Sequence, residues 1–122
     1  MNSEFRIEAE GIVGRVLSES ELVDAVADDR AAGRTIAFAN GCFDLLHVGH
    51  VRYLQGAAAE ADRLIVAVNE DASVARLMGP GRPAMPASER AEIVAAIDAV
   101  DYVVTFADDT VERLLRRIQL RG

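Results

Sequence analysis

The organisation of this chain follows from one stretch of sequence, Phe38-Ala39-Asn40-Gly41-Cys42-Phe43-Asp44-Leu45-Leu46-His47-Val48-Gly49-His50. Small and β-branched residues over positions 34–39 predict a strand, which Asn40-Gly41 are expected to break. After the break, apolar residues recur at helical spacing and predict a helix over residues 48–61. The stretch therefore joins a strand to a helix and places His47 and His50 where the helix begins.

The start of this helix is predicted to bind a phosphate. The first N–H groups of a helix lack internal partners, and its dipole adds positive charge there. Gly49 lets a ligand approach the backbone closely. His47 and His50 are three residues apart, so both imidazoles can donate to one group. Structural histidines, or a metal site with Cys42, are the alternatives; zinc would lack a fourth ligand, so no metal site is predicted.

The remaining pattern predicts an α/β fold, a Rossmann-like parallel sheet with helices on both faces. Ser18 and Glu21 form a capping box that begins a helix ending at Gly33. Residues 63–68 are a continuous apolar run typical of a buried central strand, and residues 102–106 form a third strand. Further helices are predicted over residues 71–77, from the cap Ser88 to about residue 97, and after the cap Thr110.

Two loops are expected to meet at the carboxyl ends of the parallel strands. Residues 40–50 follow the first strand and residues 69–73 follow the second, so one crevice should contain both. The loop over residues 79–86 is rich in glycine and proline and can be neither a helix nor a central strand. We expect it to be a mobile flap.

Length and composition limit the classes of function. The 122 residues predict one domain, residues 18–122, after a tail or linker, residues 1–17, that receives no role. The net charge of -7 makes nucleic acid an unexpected partner. The single cysteine cannot form an internal disulfide, and no apolar run approaches the roughly 20 residues of a membrane span. We expect a cytoplasmic protein with no membrane partner.

The motif Gly41-x-Phe43-Asp44-x-x-His47-x-Gly49-His50 resembles the signature of the cytidylyltransferase-like nucleotidyltransferase superfamily. Within it, the chain is most similar to the bacterial D-glycero-β-D-manno-heptose 1-phosphate adenylyltransferases, from about Gly14 to about Ile118. The resemblance implies transfer of AMP from ATP to a sugar 1-phosphate, with Mg²⁺ accompanying ATP, to give an ADP-sugar and pyrophosphate. The likeness is carried by residues 40–54, 64–69, 71–74, 81–83, 89–90, 100–104, 106 and 109–110.

Particular residues are expected to carry this reaction. His47 and His50 are the predicted catalytic residues, which hydrogen-bond phosphate oxygens more strongly as charge develops, without a covalent intermediate. Asp44 is predicted to contact the sugar phosphate. Asn69 is predicted to contact the sugar or the nucleotide, and a hydrogen bond within its loop is the alternative. The residues expected to contact the nucleotide are Asn40, Gly41, Cys42, Phe43, His47, Gly49 and His50.

Each of the other assignments has an alternative. Arg82 and Arg90 are predicted to bind the sugar phosphate or the leaving pyrophosphate, because guanidinium forks suit phosphate. The alternative for both is a solvated surface arginine. Asp44 could instead hold the geometry of its loop. The Phe43 side chain is expected in the core, and Cys42 is expected to be a small buried residue without an activated thiolate.

The chain departs from the family in three places, and the first is Val111, which follows Thr110 where the family usually has a proline. A lysine usual in the stretch that here reads Arg76-Leu77-Met78-Gly79 is absent, so Arg76 or Arg82 would have to supply its charge. The family also continues into another strand and a helix start that reads the base, so the sheet is expected to be truncated after the third strand and the following helix. Either a segment is missing, or the edge of the third strand pairs with another copy in a homo-oligomer.

Two other functions stay open. One is a cytidylyltransferase acting on a polyol or amino-alcohol phosphate. The other is a catalytically silent module that binds nucleotide or mediates assembly.

Overall fold

The computed structural model describes residues 7–8, 11–12 and 16–119. Two short strands pair antiparallel near the N-terminus, and the other three strands form a parallel sheet in the order β3-β4-β5. The predicted α/β fold with a Rossmann-like parallel sheet is confirmed. In chain order the elements are β1 (Ile7–Glu8), β2 (Gly11–Ile12), α1 (Glu19–Ala31), β3 (Ile36–Gly41), α2 (Val48–Ala58), β4 (Arg63–Asn69), α3 (Asp71–Met78), α4 (Ala87–Ala95), β5 (Tyr102–Phe106) and α5 (Glu112–Arg117).

Helices cover both faces of the sheet, as predicted. Successive side chains of a strand point to opposite faces. Leu64, Val66 and Val68 of β4 therefore pack on the side of α2 and α4, whereas Ile65 and Ala67 pack on the side of α1 and α5. This double burial is why the strand reads as an unbroken apolar run. No helix in the described ranges is long and apolar enough to cross a membrane.

The first strand lies two residues later than predicted. β3 includes Asn40-Gly41, which were expected to break it, because these residues pair in register with Ala67 and Val68 of β4. The chain leaves the sheet only at Cys42. Phe43 then adopts a left-handed conformation with φ of 51°.

The N-cap residue predicted from the sequence is confirmed for one helix and is wrong for two others. The capping box of Ser18 and Glu21 is present at α1. Ser88 lies inside α4 and does not cap it; the N–H of Ala87 instead donates to Asp71 Oδ1 at 2.9 Å. Thr110 does not cap α5 either, since Val111 is the N-cap of that helix.

The two edges of the sheet differ. Along the outer edge of β5, Val16 forms a parallel bridge to Val103, and the N–H of Leu17 donates to the Val103 carbonyl at 2.8 Å. The last two residues of the predicted tail therefore lie against the sheet; its residues 1–6, 9–10 and 13–15 are outside the described ranges. Within those ranges β3 and β5 are the two edge strands of the parallel sheet, and no strand pairs with the outer edge of β5, which carries this isolated bridge; pairing of the third-strand edge with another chain stays a prediction. A homo-oligomer stays a prediction.

Candidate active site

Each of the two histidines caps the start of α2 with its imidazole. Nδ1 of His47, the N-cap residue, accepts the Gly49 N–H at 3.0 Å, and Nδ1 of His50 accepts the His47 N–H at 3.1 Å. Ser or Thr with Glu usually makes such a reciprocal capping box. A ring nitrogen that accepts an N–H carries no proton, so the proton of each neutral ring lies on Nε2. Both rings are thereby oriented with an Nε2–H donor left for a ligand.

The imidazoles take over the role expected of the backbone amides. Of the N–H groups from residues 47–51, only that of Val48 lacks a partner among the described residues, because two donate to the imidazoles and two to the His47 carbonyl. The two ring centroids lie 4.1 Å apart with the planes inclined by 38°. His47 is exposed and His50 is partly exposed. A ligand at this helix start therefore meets two adjacent imidazole donors.

The surroundings of His50 favour the neutral form of its imidazole. Burial, and then the positive charge that His47 can carry, lower the pKa of His50 below its usual value. The Phe43 ring meets it edge-on, with centroids 5.6 Å apart and planes inclined by 61°. Phe43 lies in the core as predicted, and a Cβ on Gly41 would come within 3.1 Å of its ring. Gly41 and Phe43 thus support His50 from the interior.

Gly49 makes room for the capping ring of His47. A Cβ at this position would lie 2.8 Å from Cε1 and 3.0 Å from Nδ1 of His47, closer than carbon atoms approach without displacement. Glycine is therefore needed here for His47 to keep its capping orientation, a reason separate from the predicted access of a ligand to the backbone.

Asp44 anchors the loop over residues 79–86. Its buried carboxylate accepts hydrogen bonds from Arg82 Nε at 2.7 Å, the Ala84 N–H at 2.8 Å and the Met85 N–H at 3.2 Å. Burial alone would raise the pKa of Asp44, but the Ala84 amide, Arg82 and the Met85 amide together lower it. The carboxylate therefore holds loop geometry, one of its two predicted roles. These bonds tie the predicted mobile flap to the histidine motif.

Arg82 is partly exposed beside Asp44. Its side chain retains 30% of its accessible surface, and Nε makes its one hydrogen bond within the described part of the chain. The two terminal nitrogens of the guanidinium are therefore still available to a phosphate. This placement is compatible with the predicted role of Arg82.

Arg90 is buried and does not agree with either expectation from the sequence. Its relative exposure is 0%, so it is not a surface arginine and cannot reach a sugar phosphate. Nε donates to the Met85 carbonyl at 2.9 Å, and Nη2 donates to Asp71 Oδ1 at 2.6 Å. Nη1 donates to the carbonyls of Cys42 and Asn69, each at 2.7 Å. All of its nitrogens are therefore engaged by the protein itself.

The two loops meet as predicted at the carboxyl ends of β3 and β4. Asn69 is buried, its Nδ2 donates to Ser73 Oγ at 2.8 Å, and its Oδ1 lies 4.0 Å from Cys42 Sγ. Cys42 is only partly buried, yet that burial raises the pKa of its thiol and leaves it unactivated. Asn40 is exposed at the end of β3. Sequence reasoning missed Ser73, whose polar side chain lies on the inward face of α3.

The site occupies the part of the chain that is similar to known proteins. The Cytidylyltransferase-like family model matches residues 38–121. The bifunctional protein HldE of Ectopseudomonas mendocina (strain ymp) is 56% identical over 110 residues, which cover 90% of this chain and 23% of that protein. HldE of Alcanivorax borkumensis (strain ATCC 700651 / DSM 11573 / NCIMB 13689 / SK2) is 51% identical over 114 residues, covering 93% of this chain and 24% of that protein. The chain thus spans under a quarter of these relatives' length.

A solved structure supports the fold. The crystal structure of the lipopolysaccharide core biosynthesis protein from Thermoplasma volcanium GSS1 superposes with a TM-score of 0.65 at 22% sequence identity. The match covers 71% of this chain and 70% of that one. At this identity the likeness concerns the arrangement of the sheet and helices.

Proposed function

Because the chain belongs to the cytidylyltransferase-like family, we propose that it transfers AMP from ATP to a heptose 1-phosphate, releasing pyrophosphate and an ADP-sugar. The observation that carries this proposal is the reciprocal capping of α2. It holds two Nε2–H donors side by side at the positive end of a helix, where a phosphate group binds favourably. The choice of a heptose rests on the sequence resemblance and on 51–56% identity to proteins named HldE.

In this reaction a phosphate oxygen of the sugar phosphate attacks the α-phosphorus of ATP in line with the leaving group. One P–O bond forms, the bond from the α-phosphorus to the α–β bridging oxygen breaks, and pyrophosphate leaves. Nε2–H of His47 and Nε2–H of His50 would donate to non-bridging oxygens of the α-phosphate. Their hydrogen bonds strengthen as charge builds on those oxygens, so the transition state gains more than the ground state.

Arg82 would hold a second phosphate group. Its terminal nitrogens match two oxygens of the sugar phosphate or of the departing pyrophosphate. Asp44 fixes Nε at 2.7 Å, so the guanidinium fork is oriented before the ligand arrives. Less conformational freedom then has to be lost on binding. Asn69 ends β4 beside Cys42, and its contact with the substrate stays a prediction.

The magnesium ion would enter with the triphosphate. Within the described residues, no three His, Cys, Asp or Glu side chains are grouped so as to hold a metal ion. The donor set of the site is instead cationic and imidazole, which suits phosphate oxygens rather than a hard cation. Mg²⁺ bound to ATP would supply charge neutralisation at the triphosphate.

Pyrophosphate release by this chain tests the proposal. The reaction contains ATP, Mg²⁺ and D-glycero-D-manno-heptose 1-phosphate, and a parallel reaction contains CTP. We expect release with ATP that depends on the sugar phosphate and falls on the order of 10²-fold in His50→Ala. Release with CTP alone would overturn the choice of ATP and favour a cytidylyltransferase. Binding of ATP without release from either nucleotide would overturn the proposal in favour of a silent nucleotide-binding module.

A further inference from the structure

We propose that Arg90 is a positioning residue for the two histidines, and that it acts by clamping four segments that converge under the motif. These segments are the motif loop, the end of β4, the start of α3 and the loop over residues 79–86. We call Arg90 with its four acceptor residues, Cys42, Asn69, Asp71 and Met85, the Arg90 clamp. The effect on turnover rests on the proposed function, whereas the effect on the imidazoles does not.

The clamp holds the two strand ends in a fixed relation. Nη1 of Arg90 donates to the carbonyls of Cys42 and Asn69, which follow and end two neighbouring parallel strands. Carbonyls at a strand end lose their partners in the sheet and need another donor when they are buried. A single nitrogen at 2.7 Å from both carbonyls sets the distance between the two loops. No other side-chain donor to either carbonyl is found in the described part of the chain.

Phe43 couples the motif loop to His50, because its ring contacts the His50 imidazole. The Cys42 carbonyl belongs to the peptide that leads into Phe43, whose φ of 51° is a conformation a side-chain-bearing residue rarely adopts. The Phe43 ring is buried and touches His50 edge-on. If the Cys42 carbonyl moves, Phe43 must turn. His50 then loses its support and its bond from the His47 N–H.

The Arg90 clamp and the hydrogen bonds of Asp44 share one residue, Met85. The Met85 carbonyl accepts from Arg90 Nε, while the Met85 N–H donates to Asp44. Asp71 accepts from Arg90 Nη2 and also caps α4 through the Ala87 N–H. One connected set of hydrogen bonds therefore links the motif loop to the loop that carries Arg82.

Stability of the fold alone does not account for Arg90, because its charged side chain is fully buried. The guanidinium has no exposure, and its one ion-pair partner among the described residues, Asp71, is 52% exposed at the side chain. Burying a charge carries a large desolvation cost, which its attraction to a solvated carboxylate offsets only in part. What Arg90 supplies that an apolar residue does not is a rigid fork aimed at several acceptors. We therefore assign its main role to geometry.

The first test is Arg90→Lys, which keeps the charge but replaces the planar fork with a single ammonium group. Displacing catalytic donors by about 1 Å costs on the order of 10²-fold in rate, so we expect a fall of that size in kcat with KM changed less than about two-fold. Arg113→Lys is the matched control, because Arg113 also joins distant segments, Glu19 and Asp108, but does not contact the motif. It should retain wild-type kcat.

The second readout needs no substrate. In ¹⁵N-resolved spectra of the imidazoles, the wild type should show both rings as single Nε2–H tautomers, and Arg113→Lys should match it. In folded Arg90→Lys, His50 should show a mixture of tautomers, which a loss of stability alone would not produce. Wild-type imidazole spectra, or wild-type kcat, in folded Arg90→Lys would overturn the proposal.

A second variant covers the case in which Arg90→Lys does not fold. Asp71→Asn removes the charge of an exposed carboxylate, which weakens the Nη2 anchor and the bond from the Ala87 N–H but leaves the Nε and Nη1 bonds of Arg90 in place. It should produce the same change at His50 to a smaller extent, and an unchanged His50 spectrum would overturn the clamp. If the wild type releases no pyrophosphate, the proposed function fails, while the imidazole spectra still decide the role of Arg90.

Discussion

Gly49→Ala separates the catalytic role of His47 from the stability of the fold. The new Cβ would lie 2.8 Å from His47 Cε1, so the imidazole must rotate away. The ring then loses the Gly49 N–H and no longer points Nε2 toward the phosphate site. The backbone of α2 can stay in place because the atoms in conflict belong to a side chain.

Two contributions to the free energy of unfolding nearly cancel in this variant. Loss of an N-terminal cap costs about 1 kcal/mol, and replacing glycine by alanine within a helix gains up to about 1 kcal/mol. We therefore expect the free energy of unfolding to change by less than about 1 kcal/mol. Removing one preorganised donor lowers turnover on the order of 10²-fold, so activity should fall while the protein stays folded.

Urea denaturation and pyrophosphate release measure the two quantities on the same protein. Gly56→Ala is the matched control, since Gly56 lies in the same helix and a Cβ there meets nothing within 4 Å. It should raise the free energy of unfolding by up to about 1 kcal/mol and leave turnover unchanged. Gly49→Ala with wild-type turnover would refute the argument that His47 must keep its capped orientation.

Three further outcomes follow from the same contacts. His50→Ala should lower turnover on the order of 10²-fold, measured by pyrophosphate release, and a change of only a few-fold would contradict its role. Asp44→Asn should reduce the free energy of unfolding in urea by about 2 kcal/mol, because it breaks a buried ion pair and sets an amide against two N–H donors; a loss below about 0.5 kcal/mol would argue against the anchor. The pKa of His50 is lowered in the folded state, so the unfolded chain binds the proton more readily and the free energy of unfolding should fall as pH drops below about 6.5. His50→Ala should flatten that dependence, and an equal slope in wild type and variant would show that another group causes it.

The fold and the family could be predicted from local sequence patterns. The apolar run of β4 indicates a strand buried on both faces, and the motif that follows β3 is specific in both spacing and residue types. The family model that matches residues 38–121 confirms the predicted nucleotidyltransferase relationship. These features depend on residues close in sequence, so their pattern is visible without the structure.

The roles of the charged residues depend on contacts that the sequence does not display. Arg90 was predicted at the surface or on a substrate, but its acceptors Cys42 and Asn69 lie 48 and 21 residues away in the chain. Asp71 caps α4 from 16 residues before Ala87, which displaces the local candidate Ser88. The sequence left both roles of Asp44 open for the same reason. Only the folded chain shows which acceptor reaches which donor.

The most direct test of the central claim is a titration of the wild-type chain with ATP and Mg²⁺ while the Nε2–H signals of the two histidines are followed by NMR. We expect both signals to shift together, with one dissociation constant, because both donors bind the same phosphate group. Inorganic phosphate at equal ionic strength serves as the control for general anion effects. ATP that binds, as shown by other signals, while both histidine signals stay unchanged would contradict the claim that these imidazoles hold the nucleotide.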